Sequence, residues 1–87
     1  MTIERNDTVK ITKGCRAYDI HANASGKVLD VVVLDRKEVK LLLSINGKTH
    51  AFFVRHENRL SDPTVRMNKG DPTRTVEIRL LKKAVAA

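Results

Sequence analysis

An Asn-Gly pair at residues 46 and 47 stands between two apolar runs, residues 39–45 and 48–54, that are rich in strand-forming side chains. Asn-Gly suits a two-residue type I′ turn, because both central residues of that turn adopt positive φ, which Gly does freely and Asn tolerates. A turn of this kind also fixes the register of the strands that it joins. The sequence therefore predicts a hairpin with these opposed pairs: Val39 with Val54, Leu41 with Phe52, Leu43 with His50, and Ile45 with Lys48.

Most of the residues on one face of this hairpin are apolar, and a hairpin alone is only marginally stable in water. Further strands are therefore needed to cover that face, and the rest of the chain contains them. Residues 8–12 alternate between polar and apolar side chains, and residues 26–34 form a second strand segment that is apolar on both faces in its second half. Residues 73–80 alternate as well, which predicts a strand. A helix with Asp71 as its N-cap and Pro72 at its first position is the alternative for this last segment.

We interpret the remaining segments as connections between the strands. Residues 13–25 lack strand alternation and predict a long first loop, and residues 61–73 contain turn signals and predict a loop or an irregular hairpin arm around Val65 and Met67. Residues 1–7 are polar and are expected to fray at the very start. We therefore predict a mostly β fold, a small five-stranded, SH3-like, partly open barrel with a long first loop. The barrel is expected to be a single domain of residues 1–81, followed by a flexible tail at residues 82–87.

Lys and Arg outnumber Asp and Glu by 17 to 10, which gives a formal net charge of +7. An excess of this size in a small domain attracts polyanions, although it can also serve solubility alone. Cys15 is the only cysteine, so an intramolecular disulfide is excluded. No apolar run reaches the length of a signal peptide or a membrane span. We expect a soluble, cytoplasmic protein without a membrane partner.

The first third of the chain resembles a known family. Asn6-Asp-Thr-Val-Lys-Ile11, then Gly14, then Gly26-Lys-Val28 followed by Val31, resembles the KOW motif of the ribosomal protein L24 family and of NusG-type transcription factors. The similarity covers roughly residues 3–33. Asn6 stands where the family usually has glycine, and the loop between the two glycines is longer. The resemblance implies an SH3-like fold and a role in binding RNA or ribosomal and transcriptional partners.

Five basic residues are the candidates for phosphate contacts. Lys13 and Arg16 in the first loop and Lys27 at the second strand match the basic loop of the KOW pattern, and Arg55 and Arg59 lie in the segment after the fourth strand. We expect these residues to form one positive patch, because in an SH3-like barrel that segment comes near the first loop. Phosphate contacts of this kind are strong in sum and insensitive to sequence.

Three larger side chains are candidates for apolar contacts. Tyr18 either stacks on a base beside Arg16 or closes the core as a lid with its hydroxyl in water. Phe53 either packs in a small second cluster with Leu42 or forms an exposed contact surface with it. The only other aromatic residue, Phe52, belongs to the apolar face of the hairpin.

The sequence offers little for catalysis or metal binding. His21, His50, His56 and Cys15 lack the paired spacing of a metal site, and the chain has no phosphate-cradling Gly-rich loop. We therefore expect no metal, no cofactor and no enzymatic activity. The leading hypothesis is a basic binding module associated with RNA or the ribosome, and the alternative is a protein-interaction module or small accessory subunit that docks an acidic protein.

Overall fold

The computed structural model of the chain describes residues 2–84, and these residues form six antiparallel strands. The strands are β1 (Thr8–Lys13), β2 (Ser25–Asp35), β3 (Glu38–Ile45), β4 (Lys48–Arg55), β5 (Val65–Asn68) and β6 (Thr75–Lys82). Two 3-10 helices, Arg16–Tyr18 and Glu57–Ser61, lie in the connections after β1 and β4. Within the described part of the chain, no helix has the length and hydrophobicity to cross a membrane.

The central hairpin has the register that the sequence predicts. Asn46 and Gly47 have φ values of 51° and 79°, as a type I′ turn requires. Strands β3 and β4 pair without a register shift. Their partners include all four predicted pairs: Val39 with Val54, Leu41 with Phe52, Leu43 with His50, and Ile45 with Lys48.

The prediction of a mostly β small barrel is confirmed, but two of its details are wrong. The barrel has six strands rather than five, and it is closed rather than partly open, because β6 pairs with β1 on one side and with β5 on the other. The additional strand, β5, lies within the predicted loop over residues 61–73. Val65 and Met67 are buried and Arg66 between them is exposed, as in a strand, but β5 is only four residues long. An alternation this short does not distinguish a strand from a loop in the sequence.

The barrel interior is filled by apolar side chains from all six strands and from the connections. Residues that face one another across paired strands point to the same side of the sheet, so strand alternation sends one set inward. The buried apolar residues are Ile3, Val9, Ile11, Ile20, Val28, Val39, Leu41, Leu43, Ile45, Phe52, Val54, Leu60, Val65, Met67, Val76 and Ile78.

Both ends of the chain are tied to the barrel more closely than the sequence predicts. Ile3 is in the core, and its N–H donates to the carbonyl of Leu60, so the segment that was expected to be polar contributes to the core from its third residue. We expected a flexible tail from residue 82 onward, but β6 includes Lys82, and Lys83 and Ala84 both donate hydrogen bonds to Asp7. Residues 85–87 of that tail lie outside the described residues.

Candidate functional site

A groove of about 520 Å³ runs along the outside of β4, β5 and β6. It forms because β4 and β5 share only one opposed pair, Phe53 with Asn68, so the two strands diverge beyond it. Arg55, Arg59 and Arg66 line the groove, and half-buried Phe53 forms part of its wall. We call this feature the arginine groove.

The cations of the arginine groove are only partly neutralised. The guanidinium of Arg59 lies 3.4 Å from the carboxylate of Asp62, and these side chains are 64% and 40% exposed. Arg66 stands opposite Glu77 on β6, but the carboxylate of Glu77 is also 3.9 Å from the ammonium of Lys13. Ion pairs whose cation is exposed and whose atoms are more than 3 Å apart are weak and compete poorly with a polyanion. The groove therefore keeps an excess of positive charge.

A second basic surface crosses β2, β1 and β6 on the far side of β6 from the groove. Lys10 on β1 is directly opposite Arg79 on β6. Thr8, also on β1, is opposite Lys27 of β2 on one side and opposite Lys82 of β6 on the other. We call Lys10, Lys27, Arg79 and Lys82 the basic row. Among residues 2–84, none of these four cations is within ion-pair distance of a carboxylate.

Strand alternation explains why the basic row faces outward. Val9 and Ile11 flank Lys10 on β1 and are fully buried, and Ile78, which precedes Arg79 on β6, is buried as well. Because neighbouring residues on a strand point to opposite faces, Lys10 and Arg79 must both point outward. Like charges directly opposed on one face of a sheet are destabilising. The row and the groove meet at β6, and together they form what we call the basic band.

The structure distributes the predicted phosphate-binding residues over more than one location. Arg55 and Arg59 lie in the arginine groove, Lys13 contacts its edge through a 3.3 Å hydrogen bond to Thr75, and Lys27 belongs to the basic row. Arg16 is exposed in the first 3-10 helix, at the barrel end where β1 finishes.

The structure brings one residue of the predicted first loop near the segment after β4. Lys13 contacts Thr75 and lies 3.9 Å from Glu77, and both of these residues line the groove together with Arg55 and Arg59. Arg16 is not among the residues that line the groove, so its place in one shared patch stays a prediction.

Tyr18 is positioned as a lid on the core. Its ring packs edge-on against Phe52, with the ring centroids 6.4 Å apart, and its hydroxyl donates to the carbonyl of Arg74 at 3.2 Å. The ammonium of Lys69 lies 5.0 Å from the centroid of the Tyr18 ring. These contacts hold the ring in the position that the lid alternative describes.

Leu42 and Phe53 lie on the outer face of the sheet, and both are half-buried. Leu42 stands opposite Ala51, and Phe53 stands opposite Lys40, so the two side chains are diagonal neighbours across the pair of strands. Leu42 and Phe53, the two residues that the sequence suggests for a small outer cluster, are therefore neighbours. Phe53 also lines the arginine groove.

The histidines occupy separate environments. The ammonium of Lys69 donates a 2.9 Å hydrogen bond to Nδ1 of His50, and the His50 ring stacks on Phe52. Burial, reinforced by the charges of Lys69 and Lys48, lowers the pKa of His50 below 6.5. His21 lies 3.5 Å from Asp19 at the surface. In the described ranges, no three His, Cys, Asp or Glu side chains are grouped closely enough to hold a metal ion.

Sequence reasoning missed four members of the basic band: Lys10, Arg66, Arg79 and Lys82. For Lys10 and Arg79 a signal was present, since each occupies an outward position between inward apolar residues. What the sequence did not show is that β1 and β6 are neighbours, which is the fact that places these two cations side by side.

Comparison of the chain with protein-family models, with curated proteins and with solved structures finds no significant match. The likeness to the KOW motif therefore remains a resemblance carried by residues 3–33, on a small closed β-barrel whose fold is compatible with it.

Proposed function

We propose that this protein is a non-enzymatic, cytoplasmic binding module of KOW type that associates with RNA or the ribosome, and that its basic band contacts RNA phosphates. The proposal joins the resemblance over residues 3–33 to a predominantly basic surface that crosses five of the six strands. The predicted residues Lys13, Lys27, Arg55 and Arg59 are part of that surface.

The observation that carries the proposal is the opposition of Lys10 and Arg79. Two cations side by side on one face of a sheet repel each other, and neither has a carboxylate partner among the residues that the structure describes. A phosphate between them would offset the repulsion with two charge-assisted hydrogen bonds. A polyanion is the kind of ligand that supplies a series of such groups.

This mode of binding is expected to be largely insensitive to base sequence. The ring of Tyr18 is packed against Phe52, Phe52 itself is fully buried, and Phe53 is half-buried in the groove wall. The chain therefore presents little free aromatic surface on which bases can stack. Affinity would come from phosphate contacts, which carry no direct sequence information.

The test is RNA affinity measured against salt concentration for a double variant and a matched control. Each phosphate contact to a single strand makes the slope of log K against log salt steeper by about 0.7. The double variant K10Q/R79Q should therefore make this slope about 1.4 less steep and should weaken binding at low salt. The control, R36Q/K37Q, removes the same two charge types from the exposed turn between β2 and β3. Equal effects of both variants, or binding that does not respond to salt, would contradict the proposal.

Docking of an acidic protein is the second candidate, and Phe53 favours it. A half-buried aromatic ring beside Arg55 and Arg59 is the combination that anchors and steers a protein partner. Under this alternative, R55E/R59E would release an acidic protein partner while leaving RNA affinity and its salt slope unchanged. Loss of RNA affinity in the same variant would favour the RNA proposal instead.

A further inference from the structure

One edge of β2 is paired with β1 over only the first part of its length. Its pairing with β1 ends where Lys27 meets Thr8, and the segment before β1 adds two backbone hydrogen bonds, from Asn6 N to Val28 O and from Val28 N to Asp7 O. Beyond Val28, β3 is the only described strand that pairs with β2. Residues 29–35 therefore have one backbone edge without a strand partner, which we call the open edge.

One backbone group in the open edge has a side chain as its hydrogen-bond partner rather than a strand. The N–H of Val31 donates to the side-chain carboxylate of its neighbour Asp30 at 2.9 Å. An uncovered row of N–H and C=O groups is a template on which another strand can pair. Proteins that must avoid this pairing protect such edges with charged side chains or proline, but residues 31–34 are all apolar.

The side chains along the open edge are unusually exposed for their type. Val32 is 39% exposed, and Val33 and Leu34 are each 50% exposed, so three consecutive large apolar residues face solvent. Val33 also borders a cleft of about 290 Å³ in which the apolar residues Val31, Ile3 and Leu60 lie among charged side chains of both signs. An exposed apolar run next to an open backbone edge is typical of a surface that another strand covers.

Charge indicates which strand can cover it. The chain as a whole carries +7, but residues 29–40 contain three acidic and three basic side chains and are neutral. Two copies of the protein can therefore approach each other here without local repulsion. The edge is also self-complementary: antiparallel pairing centred on Val33 sets Val32 opposite Leu34 and Asp30 opposite Arg36 of the second copy.

We propose that the open edge of β2 pairs antiparallel with the same edge of a second copy, so that the protein forms a two-fold symmetric dimer with a sheet continuous across the interface. The backbone groups of residues 29–35 supply the hydrogen bonds, and the exposed valines and Leu34 supply the buried apolar area. This dimer is independent of the basic band, which lies on other strands except for Lys27.

The test is sedimentation analysis of the full chain over roughly 10 µM to 1 mM, a range suited to weak association. We expect a concentration-dependent dimer whose dissociation constant rises at least about tenfold in V33K, because pairing would bury an unpartnered charge. L34K is a second edge variant, in case V33K does not fold. L81K is the matched control, since Leu81 of β6 is 54% exposed but lies away from the edge, and it should dimerise as the wild type does.

Salt and hydrogen exchange provide independent readouts. Dimerisation of two copies of charge +7 should strengthen as salt rises and screens their repulsion, whereas RNA binding should weaken, so the two proposals fail separately. Amides within residues 29–35 should gain protection as protein concentration rises. A protein that stays monomeric throughout the range, or a dimer unaffected by both edge variants, would overturn the proposal.

Discussion

Lys83 donates a 2.8 Å hydrogen bond to the fully buried carboxylate of Asp7, which lies 76 residues earlier in the chain. Asp7 also accepts hydrogen bonds from the backbone N–H groups of Glu4 and Ala84, each at 2.8 Å. Burial alone would raise the pKa of Asp7, but these three donors outweigh it and hold the pKa below 3.8. The Asp7 carboxylate thus links the segment before β1 to the residues that follow β6 through hydrogen bonds.

Replacement of Asp7 should be costly. D7N removes the charge that compensates Lys83 and leaves the backbone donors with a poorer acceptor, so we expect a loss of about 3 kcal/mol in the free energy of unfolding, as for other broken buried pairs. The control is E4Q, because Glu4 also contacts Lys83 but is 69% exposed, and its loss should cost less than about 1 kcal/mol. Chemical denaturation measures both. Similar losses for the two variants would show that the buried carboxylate has no special role.

Asp7 also predicts acid sensitivity. Its folded-state pKa is lower than the ordinary value of 3.8, so its contribution to stability is fully present above that value and is lost as pH falls through the folded-state pKa. The free energy of unfolding should therefore fall below about pH 4 in the wild type and fall less steeply in D7N. Parallel pH profiles for the two proteins would argue against the assignment.

His50 predicts a second pH effect in a higher range. Its folded-state pKa lies below 6.5, chiefly because of burial and then because of Lys69 and Lys48, so the unfolded chain binds the proton more readily. The stabilising contribution of the neutral ring is therefore complete above pH 6.5 and declines as pH falls through that value. NMR titration of the imidazole should give a pKa below 6.5, and H50Q should flatten the stability profile between pH 5 and pH 7. An imidazole pKa above 6.5 would contradict this.

Gly14 is expected to be the glycine that tolerates substitution least. A Cβ at this position would overlap the carbonyl oxygen of Ile20 and crowd the backbone nitrogen of Ala22, both of which are held in the first connection. G14A should therefore cost about 2 kcal/mol or more in unfolding free energy. G47A is the contrast, since nothing lies within 4 Å of its new Cβ and only its φ of +79° opposes it, for about 1 kcal/mol. Thermal and chemical denaturation should give this order, and the reverse order would refute it.

His56 occupies a backbone conformation that suits glycine. Its φ and ψ are 87° and 132°, just before the second 3-10 helix, and its side chain is exposed. H56G should stabilise the protein by about 0.5–1 kcal/mol, because relief of the strain exceeds the added entropy of the unfolded chain. N58G, at an exposed site inside the same helix, should instead destabilise it by a similar amount. Loss of stability in H56G would show that the strain is absent.

The sequence predicted the fold more completely than it predicted the candidate site. The turn at Asn46 and Gly47, the pairing of Leu41 with Phe52 and the final strand around Ile78 are all confirmed. For the site, the sequence identified Arg55 and Arg59, which line the arginine groove, and Lys27, which lies in the basic row instead. It did not identify Lys10 and Arg79, although both face outward.

The sequence by itself determined the features that depend on neighbouring residues. A two-residue turn sets backbone angles and hence register, and alternation along a strand decides which side chains point inward. Only the tertiary structure decided the closure by β5, the burial of Asp7 against Lys83, the meeting of Lys10 with Arg79 and the open edge of β2. Each of these depends on residues far apart in the chain, because local patterns specify a strand but not its neighbour or the point where that neighbour ends.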